Sequence, residues 1–309
     1  MKLFRKLSEI SPPPPYAVAT IGNFDGVHLG HQAIIRQILQ RAKTNSGTSV
    51  VISFDPHPLK VLRGQSCPPL LTTTEQKTAI FSRMGVDWFV CLEFTEAFSR
   101  LRPEEFIHQA IIDSLQVREL YVGYDFHFGR DRVGTISMLV GLAVSEGVQV
   151  TVVPPVKYED HRVSSSLIRT LITTGKVAEA ARFLGRHFSM DGVVVHGEHR
   201  GKSIGFPTAN VAHRQEAVPA EGVYAGYALL ENRRHQAVIN LGRKPTFKGT
   251  ALTLEAHIFD LVDDIYGRTI EIQFVERLRG EITFDSVEKL VAQIAQDAQH
   301  ARELLAHRG

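Results

Sequence analysis

Apolar positions change their spacing once along the chain. In the first 185 or so residues, short apolar or β-branched runs alternate with stretches in which apolar residues recur every three or four positions. The runs at 16–21, 49–54, 88–92, 119–122 and 148–153 predict buried strands, and the stretches at 29–42, 74–84, 103–115 and 136–146 predict helices. Strand and helix in alternation predict a parallel sheet with helices on both faces. Past Ser164 two shorter helices are predicted, up to 173 and over 177–184, with Gly175 and Gly185 as their stops. From Met190 onward the texture differs. Short strands at 193–196, 224–229, 237–240, 253–259 and 269–274, separated by Gly, Pro and Asn, predict an antiparallel β-barrel. Val287, Leu290, Val291, Ile294, Ala298, Ala301 and Leu305 then recur at helical spacing behind an Asp285-Ser286 cap, predicting a long amphipathic terminal helix. The expected fold is α/β with a parallel sheet at 1–186, followed by an antiparallel barrel with a terminal helix at 187–309.

A length of 309 residues is about twice the ~150 of a single domain and agrees with two. Lys and Arg number 35 against 33 Asp and Glu, so bulk charge argues for neither a nucleic acid nor a membrane surface, and small-molecule partners are expected. Cys67 and Cys91 form no CxxC pair and lie near no histidine cluster spaced for a metal. The basic residues 1–6 lack the apolar stretch and cleavage site of a signal peptide, and no run approaches a membrane span. A reducing cytoplasm is the expected location.

The strongest chemical signal is Gly22-Asn23-Phe24-Asp25-Gly26-Val27-His28-Leu29-Gly30-His31, at a predicted strand-to-helix junction. Glycines there let backbone N–H groups approach phosphates, and the helix N-terminus favours anions. Two imidazoles three residues apart can donate to charge developing on a phosphoryl group, although a helix-capping His beside a surface His would have the same spacing. In the second half, Gly197 and Gly201-Lys202-Ser203 follow a strand, but the spacing is one short of a P-loop. Gly205 and Pro207 also stand where its helix should begin, so a Walker motif is rejected. Thr208 and Asn210, two apart on an extended segment, offer neutral oxygens to one side, which suits Mg²⁺ when phosphates supply its other ligands.

The first segment resembles the GxFDxxHxGH signature of nucleotidylyltransferases, and Ser164-Ser165-Ser166-Leu167-Ile168-Arg169 resembles their SSTxIR element, with Ser166 in place of Thr. Phe54-Asp55-Pro56-His57-Pro58 and Val122-Gly123-Tyr124-Asp125-Phe126-His127-Phe128-Gly129 are similar to the FxPHP and VGxDFxFG segments of one narrower family, the bacterial bifunctional riboflavin kinase/FAD synthetases. Pro207-Thr208-Ala209-Asn210 matches the flavokinase PTAN motif of that family, and its pattern continues through Asn240-Leu241-Gly242, Leu254-Glu255-Ala256 and Arg279-Gly280-Glu281.

The resemblance implies a Rossmann-like nucleotidylyltransferase domain joined to a riboflavin kinase barrel, acting on riboflavin, FMN, FAD and ATP with Mg²⁺. It implies that His28 and His31 stabilise the transferring adenylyl group and that Glu255 is the base for the ribityl hydroxyl. ATP would be bound by Gly22, Asn23, Phe24, Asp25, Gly30, Ser165, Ser166 and Arg169 in the first domain, and by Gly197, Arg200, Gly201, Lys202 and Gly205 in the second. Phe54, Pro56, Asp125, Phe126 and Phe128 would meet the flavin, and Thr208 and Asn210 the metal. Two rivals stay open at this point: a flavin-sensing protein with degenerate enzyme domains, and an adenylyltransferase for pantetheine phosphate or nicotinamide mononucleotide carrying an accessory barrel. The sequence does not decide whether the chain forms a homo-oligomer.

Overall fold

The computed structural model describes residues 1–129, 133–197, 201, 204–231, 233–246 and 249–306, in two units, Met1–Ser164 and Ser165–Gly309. The first unit contains β1 (Lys2–Phe4), β2 (Ala17–Ile21), α1 (Leu29–Thr44), β3 (Thr48–Asp55), α2 (Pro58–Arg63), α3 (Thr74–Met84), β4 (Trp88–Glu93) and α4 (Glu96–Ser99). After these come α5 (Pro103–Phe106), a π-helix continuing it (Ile107–Ser114), β5 (Val117–Gly123), α6 (Ile136–Ser145), β6 (Gln149–Val153) and a ribbon of β7 (Lys157–Tyr158) with β8 (His161–Arg162).

Six strands in the order β1-β4-β3-β2-β5-β6 form a sheet that is parallel throughout. The two-residue period of a strand accounts for its layers. Ala17, Ala19 and Ile21 face a core shared with Val50, Ile52, Ile111 and Leu139, whereas Val18 faces one shared with Val51, Phe89, Ile35 and Phe81. Helices α1 and α3 therefore cover one face, and the π-helix and α6 the other. From β2 the chain steps outward to β3 and β4, then returns to the far side of β2 as β5. That reversal makes the gap between the carboxyl ends of β2 and β5 the point where open α/β sheets collect ligands. At the amino edge lies Glu119, only 2% exposed. Its carboxylate accepts from Arg41 Nε and Nη2 at 2.9 and 2.8 Å, and from the hydroxyls of Tyr16 and Tyr121 at 3.0 and 3.1 Å. Those bonds tie α1 to β5 and to the entry of β2.

The second unit runs α7 (Ser165–Thr173), α8 (Val177–Leu184), β9 (Phe188–Val195), β10 (Ala209–His213), β11 (Gly222–Leu230), β12 (Arg233–Thr246), β13 (Gly249–Ile258), β14 (Thr269–Arg279) and α9 (Val287–Ala306). Its strands close a barrel in the order β10-β13-β12-β11-β14-β9, all antiparallel, with β9 and β10 sealing it. Helix α8 packs on β9 and β14, so the α7–α8 pair groups with the barrel, whereas the boundary read from the sequence falls after α8. Helix α9 docks Ala301 and Leu305 against Val223, Ala225 and Tyr227. Its Asp297 clasps Arg279 of β14 at 2.7 Å.

Candidate active sites

The loop between β2 and α1 folds tightly, with Phe24, Gly26 and Val27 at φ of 49°, 84° and 39°. For Phe and the β-branched Val this left-handed backbone costs about 1–3 kcal/mol each, so the surroundings must hold it. Gly22 N–H donates to Ile52 O at 3.1 Å and Asn23 O accepts from Ser53 Oγ at 3.3 Å, pinning the start of the loop to β3. Asp25 is buried, and its Oδ1 accepts from the backbone N–H of Leu71 at 2.8 Å and of Thr72 at 3.2 Å. Gly26 N–H donates to Thr72 Oγ1 at 2.9 Å. The geometry gives Asp25 the work of an anchor beneath the loop.

His28 follows as the cap of α1, its Nδ1 accepting from His31 N–H at 3.3 Å. The two imidazoles stack with centroids 3.6 Å apart and planes 18° from parallel, and Phe24 meets His31 edge-on at 5.3 Å. The cap and the paired imidazoles, alternatives in the sequence, are one arrangement in the structure. Gly30 makes it fit, because a Cβ there would stand 3.1 Å from His28 Cε1. The result is two ring edges and the N-terminus of a 16-residue helix at the carboxyl edge of the sheet.

Six phenylalanines cluster at the same edge. Phe54 at the end of β3 lies 5.6, 5.7 and 6.4 Å from Phe94, Phe98 and Phe106. Phe106 reaches Phe128 at 6.5 Å, and Phe126 stacks on Phe128 at 5.5 Å. Phe54, Phe126 and Phe128 were legible in sequence, and the structure joins them. Phe94, Phe98 and Phe106 were missed, although Phe94 stands two residues past the strand predicted at 88–92. Pro56 lies in the turn after β3 that His57 closes, its Nδ1 accepting from Leu59 N–H at 3.1 Å. Asp125 is exposed beyond β5 and accepts from Arg162 of β8 at 3.2 Å, while the Arg162 guanidinium lies 4.7 Å from the centre of the Tyr124 ring. Ser165, Ser166 and Arg169 occupy the first turns of α7, in the second unit.

In the barrel, strand register assembles a second group. Glu255 on β13 is paired with Asn210 on β10 and with Asn240 on β12. Directly paired residues project from the same face, so the two amides flank the carboxylate. Thr208 Oγ1 lies 3.5 Å from Glu255 Oε2, and His257, two residues along β13, donates from Nδ1 to Pro207 O at 2.8 Å. Register thus brings Thr208, Asn210 and Glu255 together and adds Asn240, which the sequence had not marked. A Cβ at Gly197 would overlap Asn210 Nδ2. Phe206 N–H closes a turn onto Gly201 O at 2.9 Å, and Gly205 has φ 87°. Arg200 and Lys202 lie outside the described residues.

A parallel sheet with an imidazole pair at a helix N-terminus, followed by a barrel with hydroxyl, amide and carboxylate oxygens on one face, defines a two-unit nucleotide-dependent transferase. The family model for FAD synthetase matches residues 11–167, and that for riboflavin kinase matches 184–305. A bifunctional riboflavin kinase/FMN adenylyltransferase of Escherichia coli (strain K12) is 36% identical over 98% of this chain and 97% of its own length. That of Pseudomonas fluorescens is 37% identical over 99% and 98%. A crystal structure described as a macrolide-efflux protein from Streptococcus pneumoniae superposes with a TM-score of 0.87 at 31% identity, over 97% of this chain and 98% of that one. In the present chain no helix among the described residues is long and apolar enough to cross a membrane. The chain belongs to the family of bifunctional riboflavin kinase/FMN adenylyltransferases.

Proposed function

We infer that the enzyme performs two ATP-dependent transfers, phosphorylating riboflavin to FMN in the barrel and adenylylating FMN to FAD, with release of pyrophosphate, in the α/β half. The observation that carries the assignment of residues is the stacked His28–His31 pair at the switch point, in a chain whose barrel sets Glu255 between two amides. In the first reaction the terminal ribityl hydroxyl attacks the γ-phosphorus of ATP, its proton passes to the Glu255 carboxylate and ADP leaves. In the second, an FMN phosphate oxygen attacks the α-phosphorus of another ATP and pyrophosphate leaves. Neither step needs a covalent enzyme intermediate, so positioning and charge neutralisation are what the residues supply. His28 and His31 donate to the α-phosphoryl oxygens as their charge shifts. Ser165, Ser166 and Arg169 hold the leaving pyrophosphate, and Gly22, Asn23, Phe24 and Gly30 shape the loop around the nucleotide.

The six-phenylalanine cluster, with Asp125 and Pro56 at its border, suits a planar flavin. In the barrel, Gly197, Gly201 and Gly205, together with Arg200 and Lys202, receive the second nucleotide. Thr208, Asn210 and Glu255 present hard oxygen donors on one face, a set that fits Mg²⁺. Thr208 and Asn210 would hold it, and bound Mg²⁺ neutralises charge on the ATP phosphates. Among the described residues Cys67 and Cys91 form no disulfide, in keeping with a reducing cytoplasm.

Incubation with riboflavin, ATP and Mg²⁺, followed by chromatography of the flavins, tests the reading. His28→Ala is expected to accumulate FMN without FAD. Asn210→Ala is expected to stop FMN formation yet still convert supplied FMN to FAD. Loss of both activities from either change would overturn the division of labour.

A further inference from the structure

Gln32, in the first turns of α1, is buried, an uncommon state for an amide side chain, and both ends of that amide are engaged. Its Nε2 donates to Val27 O at 2.9 Å, and its Oε1 accepts from Arg36 Nη2 at 3.0 Å. These partners fix which way the amide points. A carbonyl oxygen only accepts and a guanidinium only donates, so exchanging N and O would set like against like at both ends. Arg36 is exposed and stands one turn further along α1, where side chains four residues apart meet.

The bond to Val27 matters because of where it lands. Gln32 N–H donates to His28 O at 2.9 Å, so the same residue grips the carbonyl that precedes His28 and the carbonyl that follows it. Val27 is β-branched, fully buried and at φ 39°, with its own N–H turned back onto Phe24 O at 3.1 Å. Backbone in that region persists only where the surroundings over-determine it. Asp25 holds the loop upstream of Val27 through Leu71 and Thr72, and Gln32 holds it at Val27 itself, the residue that aims His28. Since His28 Nδ1 accepts from His31 N–H and the two rings stack, a rotation at Val27 disturbs both imidazoles.

We propose that Gln32 is a positioning residue for adenylyl transfer, its side-chain amide, oriented by Arg36, locking the strained backbone at Val27 and so aiming the His28/His31 pair. The amide acts through Val27 O, and Arg36 acts through the amide. This role rests on the assignment of adenylyl transfer to that loop, which His28→Ala tests separately.

The experiment uses the full chain and measures FAD formation from FMN and FMN formation from riboflavin for Gln32→Met, Gln32→Glu, Arg36→Met and the double variant of Gln32→Met with Arg36→Met. Methionine is unbranched like glutamine and carries no N–H, whereas glutamate at neutral pH keeps the bond from Arg36 but cannot donate to Val27 O. Either change at 32 is expected to lower kcat for FAD formation about 10²-fold, as for a reacting group displaced by about an ångström, with KM for FMN and ATP and the kinase rate held. The His28 Nδ1 resonance in ¹⁵N-histidine NMR spectra should move in both variants, because His31 N–H no longer meets it squarely. Arg36→Met is expected to lower kcat less, and to lower it no further once Gln32 is replaced. An unchanged kcat in the position-32 variants would overturn the proposal, and so would a lowered kcat with the His28 resonance in place. A raised KM with kcat held would make Gln32 a substrate-binding group and overturn it equally. Additive losses in the double variant would overturn the part given to Arg36. If Gln32→Met fails to fold, Gln32→Glu decides, and an unmoved kcat there refutes the proposal.

Discussion

The two sites are built in opposite ways. The imidazole pair is local, made by one short loop whose backbone is bent into a conformation its residues disfavour, and tertiary bonds from Leu71 and Thr72 keep it there. The barrel group is non-local. Asn210 comes from β10 and Thr208 directly precedes that strand, Glu255 comes from β13 and Asn240 from β12, and ordinary antiparallel register places Asn210, Glu255 and Asn240 side by side. A strained loop can be tuned or lost through a single anchor, whereas a ladder-built site loses one side chain at a time. Glu255→Gln is the sharpest way to expose the difference. Its β13 pairing should survive because the side chain is isosteric, but no carboxylate would remain to take the hydroxyl proton. FMN formation is expected to fall about 10³-fold, or about 4 kcal/mol in the barrier, with FAD formation from supplied FMN unaltered. Equal loss of both activities would show that the two sites are not separable.

The next largest effect probes what holds each unit rather than what reacts in it. Glu119 joins α1, β2 and β5 at the edge of the sheet opposite the imidazole loop, much as Asp297 joins α9 to β14 in the barrel. Bonds from the Arg41 guanidinium and from two tyrosine hydroxyls hold the Glu119 carboxyl below the usual range. A depressed folded pKa means stabilisation that is complete above the ordinary glutamate value and is lost as the pH falls through the lower, folded one. Glu119→Gln is expected to cost about 2 kcal/mol at neutral pH with little change in either kcat. Urea melts at successive pH values should show the gap to wild type closing only in acid. A gap that stays constant into acid would mean that packing, not charge, gives Glu119 its worth.

The same contrast governs what was legible in the sequence. The imidazole loop could be read because its residues are contiguous and its glycines break the strand and helix patterns around it. Glu255 was marked only by resemblance to a family, since nothing in a run such as Leu254-Glu255-Ala256 announces which side faces a site. Asn240 was invisible, because its place beside Glu255 depends on strand register. Most strands and long helices followed from period alone. β1 did not, being three residues with no room to alternate. β12 extends to Thr246, well past the expected stop at 240, although Gly242 and Pro245 read as a turn. Its pairing with β11 ends at Leu241, so beyond that point it pairs on one side only and tolerates a proline. The π-helix after α5 has the apolar spacing expected of an ordinary helix, and nothing in the structure explains its wider turns.

One substitution made in both sites gives the finest comparison. Gly30 and Gly197 each stand against the side chain that a site depends on, but with different clearance. A Cβ at 30 would be 3.1 Å from His28 Cε1, so a shift of a few tenths of an ångström relieves it. Gly30 also lies in the first turn of α1, where alanine favours the helix by up to about 1 kcal/mol. At 197 a Cβ would overlap Asn210 Nδ2 and stand 2.7 Å from its Cγ, so the amide must swing away. Backbone pairing of Asn210 with Val195 gives the residue no freedom to follow. Gly197→Ala is therefore expected to slow FMN formation about tenfold, close to 1.4 kcal/mol, and to leave FAD formation alone. Gly30→Ala should slow FAD formation only about twofold, with a slightly raised melting temperature. Steady-state rates of both half-reactions in the two variants decide it. A larger loss at Gly30 than at Gly197 would mean that the strained loop, not the ladder, has the narrower tolerance.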